Sequence, residues 1–226
     1  GYLRYNGAND PRGGGHFSGR ITAPLVFAGA VCAQILKHRG ITTGAHIRSL
    51  HGIQDEAFDP VNVTADQLEK VKARSFPTIT DEAESSMRAE ILAARDRLDS
   101  VGGVIECAAV GMPAGVGSPM LDGLENVSSR LVFAVPAVKG IEFGAGFGCS
   151  DKLGSENNDE FAVRDGKIIT LTNAHGGILG GISSGMPIVF RAAFKPTPSI
   201  SQPQKSVDFK DMTEQKLVIK GRHDPC

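Results

Sequence analysis

The chain has 226 residues, 41% of them hydrophobic and 22% charged, enough apolar material for one domain with a substantial core. Lys+Arg number 24 against Asp+Glu 25, a net charge of -1, so there is no electrostatic case for nucleic acid or an anionic membrane as partner. Cys32, Cys107, Cys149 and Cys226 are widely spaced with no CxxC pair, which excludes a zinc-ligand spacing and argues against a disulfide framework. No metal is expected, and a reducing cytoplasm is the simple reading. The sequence shows no signal peptide, and no apolar run is expected to reach transmembrane length. It starts at Gly1 in polar loop material and stops at "GRHDPC", a chemically rich stretch. We therefore expect a piece of a longer protein, a single domain over 1–226 truncated at both ends.

In chain order, residues 1–17 read as loop. Ser18 is a good N-cap, and "SGRITAPLVFAGAVCAQILKHRG" then predicts a mostly apolar helix, buried on most sides, with Pro24 delaying or kinking its start and Gly40 closing it. "ITTGAHIRSLHGI" alternates as a strand. "TADQLEKVKARS" predicts a short helix capped by Thr64. "TDEAESSMRAEILAARDRLDSVGG" predicts a strong one, capped by Thr80 and ended by glycines. "VIECAAVGMPAG" reads as a strand, "LDGLENVSSRLVFAVPAV" as a helix and "GIEFG" as a strand. Gly148 to Asp165 is polar and predicts an exposed flap; "IVFRAAF" and "KLVIKG" predict strands. Helices and strands mix throughout, which points to an α/β or α+β domain with helices packed on sheets.

Four clusters carry candidate chemistry. "RGGGHFSGR", Arg12 to Arg20, puts bare backbone and two arginines at a helix start, where unpaired N–H groups and the macrodipole favour an anion. A cation at Arg20 opposes that dipole unless an anion sits beside it. "NAHGGILGGISSG", Asn173 to Gly185, has glycines suited either to tight packing or to backbone against a flat ligand. "KPTPSIS", Lys195 to Ser201, is a rigid strip with donors, and "GRHDPC" sets Arg222, His223 and Asp224 in succession, a cation, a proton carrier and a carboxylate. "GAGFGC", Gly144 to Cys149, imitates a dinucleotide fingerprint but no helix is expected after it. His38, His46 and His51 read as helix-end or surface residues rather than metal ligands.

Together and in this order the stretches "RYNGANDPRGGGHFSGRITA", "GVIECAAVGMPAGVGSPMLDGLE", "AVKGIEFGAGF", "NAHGGILGGISSGMPI", "KPTPSIS" and "KGRHDPC" resemble the chorismate synthase family. The resemblance implies an α+β fold, a β-α-β sandwich of that type, incomplete in this chain. It implies a cytoplasmic homotetrameric lyase that converts 5-enolpyruvylshikimate 3-phosphate to chorismate and phosphate by a net 1,4-elimination requiring reduced FMN, the last common step of the shikimate pathway. Residue by residue it implies flavin contacts at His16, Phe17 and Ser18, at Pro136 and Ala137, at Gly180, along Lys195, Pro196, Thr197, Pro198 and Ser199, and at Arg222. Ser18, Arg20 and Arg222 correspond to substrate contacts. Asp224, together with Ser18, corresponds to the catalytic groups, Asp224 as the carboxylate assisting proton removal. His16 stands where many members carry arginine, Pro136 replaces a residue often polar, and "NAH" departs from orders such as N-H-A, which leaves His175 without a role.

The family's G-E-S-H-G and G-H-A-D motifs, each with a functional histidine, do not occur in these 226 residues. The expectation is that this polypeptide by itself has little or no activity. A flavin- or phosphate-binding homologue without catalysis is the alternative, and a different phosphate-handling enzyme with glycine-rich anion loops a third class.

Overall fold

The computed structural model describes residues 1–10, 12–209, 211–220 and 224–226. Its spine is an antiparallel five-stranded sheet in which the strands Ile53–Gln54, Thr42–Leu50, Gly103–Val110, Ile188–Phe194 and Val138–Phe143 lie side by side in that order. After loop and two 3-10 turns come α1 (Ala23–His38), β1 (Thr42–Leu50) and β2 (Ile53–Gln54), then α2 (Ala65–Lys72), α3 (Asp81–Asp96) and β3 (Gly103–Val110). They are followed by α4 (Leu124–Val132), β4 (Val138–Phe143), α5 (Gly154–Asn157), β5 (Phe161–Arg164) and β6 (Lys167–Thr170). The glycine-rich run holds β7 (Ile178–Leu179) and β8 (Ile182–Ser183), and β9 (Ile188–Phe194), β10 (Gln204–Asp208) and β11 (Thr213–Leu217) complete the order.

Local chemistry explains the helices. Thr64 and Gln67 form a reciprocal capping box on α2, and the Thr80 hydroxyl accepts the Ala83 N–H at the start of α3, whose first turn is acidic. Two apolar clusters fix these helices on the sheet. Leu68 and Val71 of α2 pack with Phe58, Val63, Ala108 and Val189, and Ala83, Met87 and Ala94 of α3 pack with Leu50 and Val101. Pro24 delays the first helix as expected: Ser18 caps a 3-10 turn over Gly19–Thr22, and α1 begins at Ala23.

Several expectations need correction. The first helix is not buried on most sides; α1 has no buried residue, and Val26 and Phe27 are 70% and 74% exposed. Taken together, Gly19–His38 are 20 helical residues of mean hydropathy 1.5, so one segment is long and apolar enough to cross a bilayer by length and composition. The charges at Arg20 and Lys37 fall at its ends and leave the middle uninterrupted. The glycines do not end α3; it stops at Arg97 with Leu98 in the left-handed region, and Gly103 opens β3 instead. The helix near 121–138 shortens to α4, because Pro136 removes a donor and Ala137 turns the chain into β4. Residues 148–165 are largely exposed, as expected, but include α5 and the first strand of the β5–β6 hairpin. The last strand lies at Thr213–Leu217, upstream of most of "KLVIKG", and pairs with β10. His46 is 1% exposed, not a surface residue.

Gly44 faces α2 so closely that an added Cβ would stand 2.8 Å from the Leu68 Cβ. Gly44→Ala should therefore cost about 1–3 kcal/mol through overpacking. Gly29→Ala, in the exposed interior of α1 with nothing within 4 Å, should gain roughly 0.5–1 kcal/mol. Urea unfolding of the two variants checks this, and equal stability of Gly44→Ala and wild type would contradict the packing.

Candidate active site

Where β9 runs out of the sheet, three separate segments close on the start of β3. The Lys195 N–H donates to the Ala137 carbonyl (3.0 Å), the Val101 N–H donates to the Pro225 carbonyl (2.8 Å), and the Ser100 hydroxyl donates to the Thr197 carbonyl (2.7 Å). Gly102 permits the approach, since a Cβ there would lie 2.4 Å from the Phe194 carbonyl oxygen. Ala137 sits at φ 73, a left-handed conformation that costs a side-chain-bearing residue of order 1 kcal/mol or more. These contacts enclose a cavity of about 280 Å³ with walls of Ile47, Ile105 and Phe194 and a rim that includes Lys195, Thr197 and Cys226. The Lys195 ammonium contacts only the Pro196 carbonyl (3.4 Å) and meets no carboxylate among the described residues. Burial pushes the Cys226 thiol up, so it stays protonated near neutral pH. Asp224, two residues earlier, is exposed.

The cavity thus unites Ala137, Lys195 and Thr197 of the expected flavin residues. Pro136 and Pro196 adjoin it in sequence, while Pro198 and Ser199 continue the strip outward. His16 and Phe17 line a different, open groove of about 850 Å³ with Tyr2 and Tyr5. Beside it the Ser18 hydroxyl oxygen accepts the Arg20 N–H (3.2 Å). The two arginines of this segment have different fates. Arg12 is bonded to Asp10 through Nε and Nη2, whereas the Arg20 guanidinium has no partner among the described residues. Gly180 lies in the exposed β7–β8 turn and lines neither space. Arg222, expected near both ligands, falls outside the described residues, as does His223.

In the glycine-rich run most glycines serve packing. A Cβ on Gly176, Gly177 or Gly181 would strike backbone of Gly144, Pro187 or Ser118 within 2.4 Å, whereas Gly180 faces open space. Asn173 fastens the loop by donating to the Pro60 and Pro187 carbonyls (2.7 and 2.8 Å) and accepting the Gly177 N–H (2.8 Å). Asp159, unmarked in the sequence reading, accepts the Thr172 hydroxyl (2.5 Å) and the Ala174 and His175 N–H groups (2.7 and 3.0 Å). Burial works to raise its pKa, but these donors outweigh it and hold the carboxyl below the ordinary range. His175 accepts the Gly177 N–H on Nδ1 (2.9 Å), which requires that nitrogen to be unprotonated. Burial pushes its pKa down, against the pull of Asp159 at 3.6 Å.

With that geometry in place, comparison with known proteins is decisive. The family model for chorismate synthase matches residues 1–226. The chain belongs to the chorismate synthase family. It is 45% identical over 224 residues to the chorismate synthase of Pyrococcus abyssi, covering 99% of this chain and 61% of that protein. The chorismate synthase of Lancefieldella parvula is 43% identical over 233 residues, with the same two coverages. A crystal structure of a chorismate synthase superposes with a TM-score of 0.78 at 29% identity, covering 88% of this chain and 62% of that one. The α+β fold expected from the sequence is therefore that of the family. The chain spans about 61% of the length of these relatives.

His175 yields a test. The unfolded chain takes up this proton near the ordinary value of about 6.5, before the folded chain does. Its contribution to stability is therefore present above about 6.5 and is lost as pH falls below that value. His175→Asn, whose carbonyl can replace the Nδ1 acceptor, should lose less stability than wild type between about pH 7 and 5. Parallel melting-temperature curves over that range would contradict the assignment.

Proposed function

We propose that this chain is part of a cytoplasmic, homotetrameric chorismate synthase, a carbon–oxygen lyase acting on 5-enolpyruvylshikimate 3-phosphate. The observation that carries the reading is the cavity that gathers Ala137, Lys195 and Thr197 from distant points of a chain matched to the family along its whole length. An apolar slot with an ammonium at its rim that meets no carboxylate among the described residues fits a flat ring system bearing a phosphate. Reduced FMN, when bound, supplies electron density that eases departure of the substrate phosphate. The chain's residues do the rest. Lys195 holds the flavin phosphate with the 196–199 strip, and Ala137 presents backbone to the ring. Arg20 and the Ser18 hydroxyl face the anionic groups of the substrate, and preorganised positive charge there favours the leaving phosphate. Asp224 takes up the proton lost from substrate carbon as the C–O bond breaks. Family membership also favours treating Gly19–His38 as a helix of the fold whose apolar side chains lie uncovered, rather than as a membrane span.

One observation favours the alternative of a binding module without turnover for this polypeptide taken alone. His16, Phe17 and Gly180 do not line the cavity that holds Ala137 and Lys195. Two measurements separate the readings. FMN titration should show binding, weakened by Lys195→Ala roughly tenfold or more, the worth of a charge-assisted contact of about 1.5–3 kcal/mol. The chain with reduced FMN and substrate should release less than about a hundredth of the chorismate made by a full-length relative, a loss of roughly 2.7 kcal/mol or more in transition-state stabilisation. Undiminished binding by Lys195→Ala would remove the cavity from the flavin site, and full turnover by the chain would refute the incomplete-site reading.

A further inference from the structure

A row of charge crosses the central sheet in strict register. His46 of β1 is opposite Glu106 of β3, Glu106 is opposite Arg191 of β9, and Arg191 is opposite Glu142 of β4. The inner part of this row is dry, with the side chains of His46 and Asp55 fully buried and that of Glu106 1% exposed. We propose that one proton is trapped between His46 Nε2 and Glu106 Oε2 and is retained for as long as the chain stays folded, making the pair a pH-sensitive fastener of the sheet.

The argument is an account of donors. His46 Nδ1 lies 3.2 Å from Asp55 Oδ2 and Nε2 lies 3.0 Å from Glu106 Oε2. Asp55 already accepts the Ile79 N–H (2.5 Å), the Thr80 N–H (3.1 Å) and the Thr80 hydroxyl (2.9 Å), a set that suits only an ionised carboxylate. Burial works against that ionisation, and the backbone and hydroxyl donors overcome it. Nδ1 therefore carries a hydrogen toward Asp55. An Nε2 lone pair would then oppose a Glu106 lone pair at 3.0 Å unless a proton lies between them. That proton can be drawn on nitrogen, as an imidazolium beside a carboxylate, or on oxygen, as two neutral groups. Either way the pair has zero net charge and holds one proton more than a neutral histidine with an ionised glutamate.

The surroundings keep the proton in. The edge of the Phe58 ring meets the imidazole at 4.5 Å between centroids, and the Phe58 N–H donates to Glu106 Oε2 (2.7 Å). Arg191 approaches Glu106 Oε1 at 3.7 Å, while its Nε and Nη2 are engaged by Glu142 and the Gly144 carbonyl (2.7 Å each). Arg48 donates to the Asp55 backbone carbonyl. Facing His46 directly are therefore two carboxylates, with Arg48 behind Asp55, and Arg191 and then Glu142 behind Glu106. Loss of the proton would set two lone pairs against each other at the His46–Glu106 contact and leave the pair negative beside the ionised Asp55, in a dry space.

The sign of the pH effect follows. In the unfolded chain a histidine loses its proton near pH 6.5 and a glutamic acid near about 4.3. Above about 6.5 the folded chain holds one more proton than the unfolded chain. The stabilisation is thus complete between about pH 4.3 and 6.5, and above about 6.5 the folding constant falls roughly tenfold per pH unit for as long as the folded pair keeps its proton.

The test uses the 226-residue chain with ring-¹⁵N-labelled histidine, followed by NMR across about pH 6 to 9, with His46 assigned by its loss in His46→Gln. The expected result is a His46 signal that keeps one protonation state across that range. A His46 signal that titrates within it overturns the proposal. Independently, Glu106→Gln supplies an amide that bonds a neutral imidazole without the extra proton, so its folding constant should fall about tenfold less per pH unit than wild type above about pH 6.5. Equal slopes overturn the proposal too, and if this variant does not fold, the wild-type spectra decide alone.

Discussion

Buried charge governs how this fold goes together. His46, Glu106, Arg191 and Glu142 occupy one row of the sheet, so the register of four strands is set by polar pairing as well as by apolar packing. A slip by one residue would place His46 on the wrong face and leave Glu106 buried without its partners, a cost of several kcal/mol. Such pairs add little net stability over apolar packing, but they discriminate sharply against wrong pairings. The same row dictates what lies on top of it. Asp55 must reach His46, and the donors that keep Asp55 ionised come from Ile79 and Thr80, the residue that caps α3. Strand register, the strap at 55–58 and the start of α3 are thereby tied to one set of hydrogen bonds.

Strand β9 carries this constraint to the candidate active site. Arg191 is anchored to Glu142 and Gly144, and three residues later Phe194 leaves the sheet as a wall of the cavity. The pairing of β4 with β9 shifts by one residue between Gly140 and Val138, and this shifted end delivers the Lys195 N–H to the Ala137 carbonyl. At the other end of β4 the Gly144 segment abuts Gly176, where side chains would collide, so the glycine-rich loop sits against the same pair of strands. The candidate site is therefore bordered by strands of the sheet rather than by loops alone.

Much of this was legible in the sequence, and the failures have physical causes. Caps at Thr64 and Thr80 gave α2 and α3, because a cap is a local hydrogen bond that needs no tertiary partner. β1 was readable from its alternation, and β3 from β-branched and small apolar residues set between glycines. β10 has no counterpart in the sequence reading and β11 lies upstream of the expected "KLVIKG", because "TEQKL" is exposed throughout and an uncovered strand has no apolar period to read. α1 was misjudged for the opposite reason: apolar composition reports what a surface could bury, not whether anything covers it. A histidine and a glutamate at positions 46 and 106, each inside an apolar alternating strand, were the available signal for the buried pair, and only pairing across strands gave it meaning. For the site, motif order supplied the residue types, but which of them meet is a property of topology. Ala137 and Lys195 converge, while Gly180 stands in a separate turn.

The arginine-flanked glycine segment shows how structure sharpens a chemical reading. Composition treats Arg12 and Arg20 as equal claimants to an anion, yet Arg12 is satisfied by Asp10 at the surface. Arg20 keeps a guanidinium with no partner among the described residues, in the turn that leads into α1, where the helix dipole disfavours a cation by about 0.3–1 kcal/mol. Ser18 spends only acceptor capacity on the Arg20 N–H, so its hydroxyl proton is still available to donate. A cation held where the helix opposes it, next to a hydroxyl donor, gains from an anion that meets both the guanidinium and the helix end. That coupling makes Arg20 and Ser18, rather than the glycines themselves, the residues through which this segment would recognise a phosphate or a carboxylate.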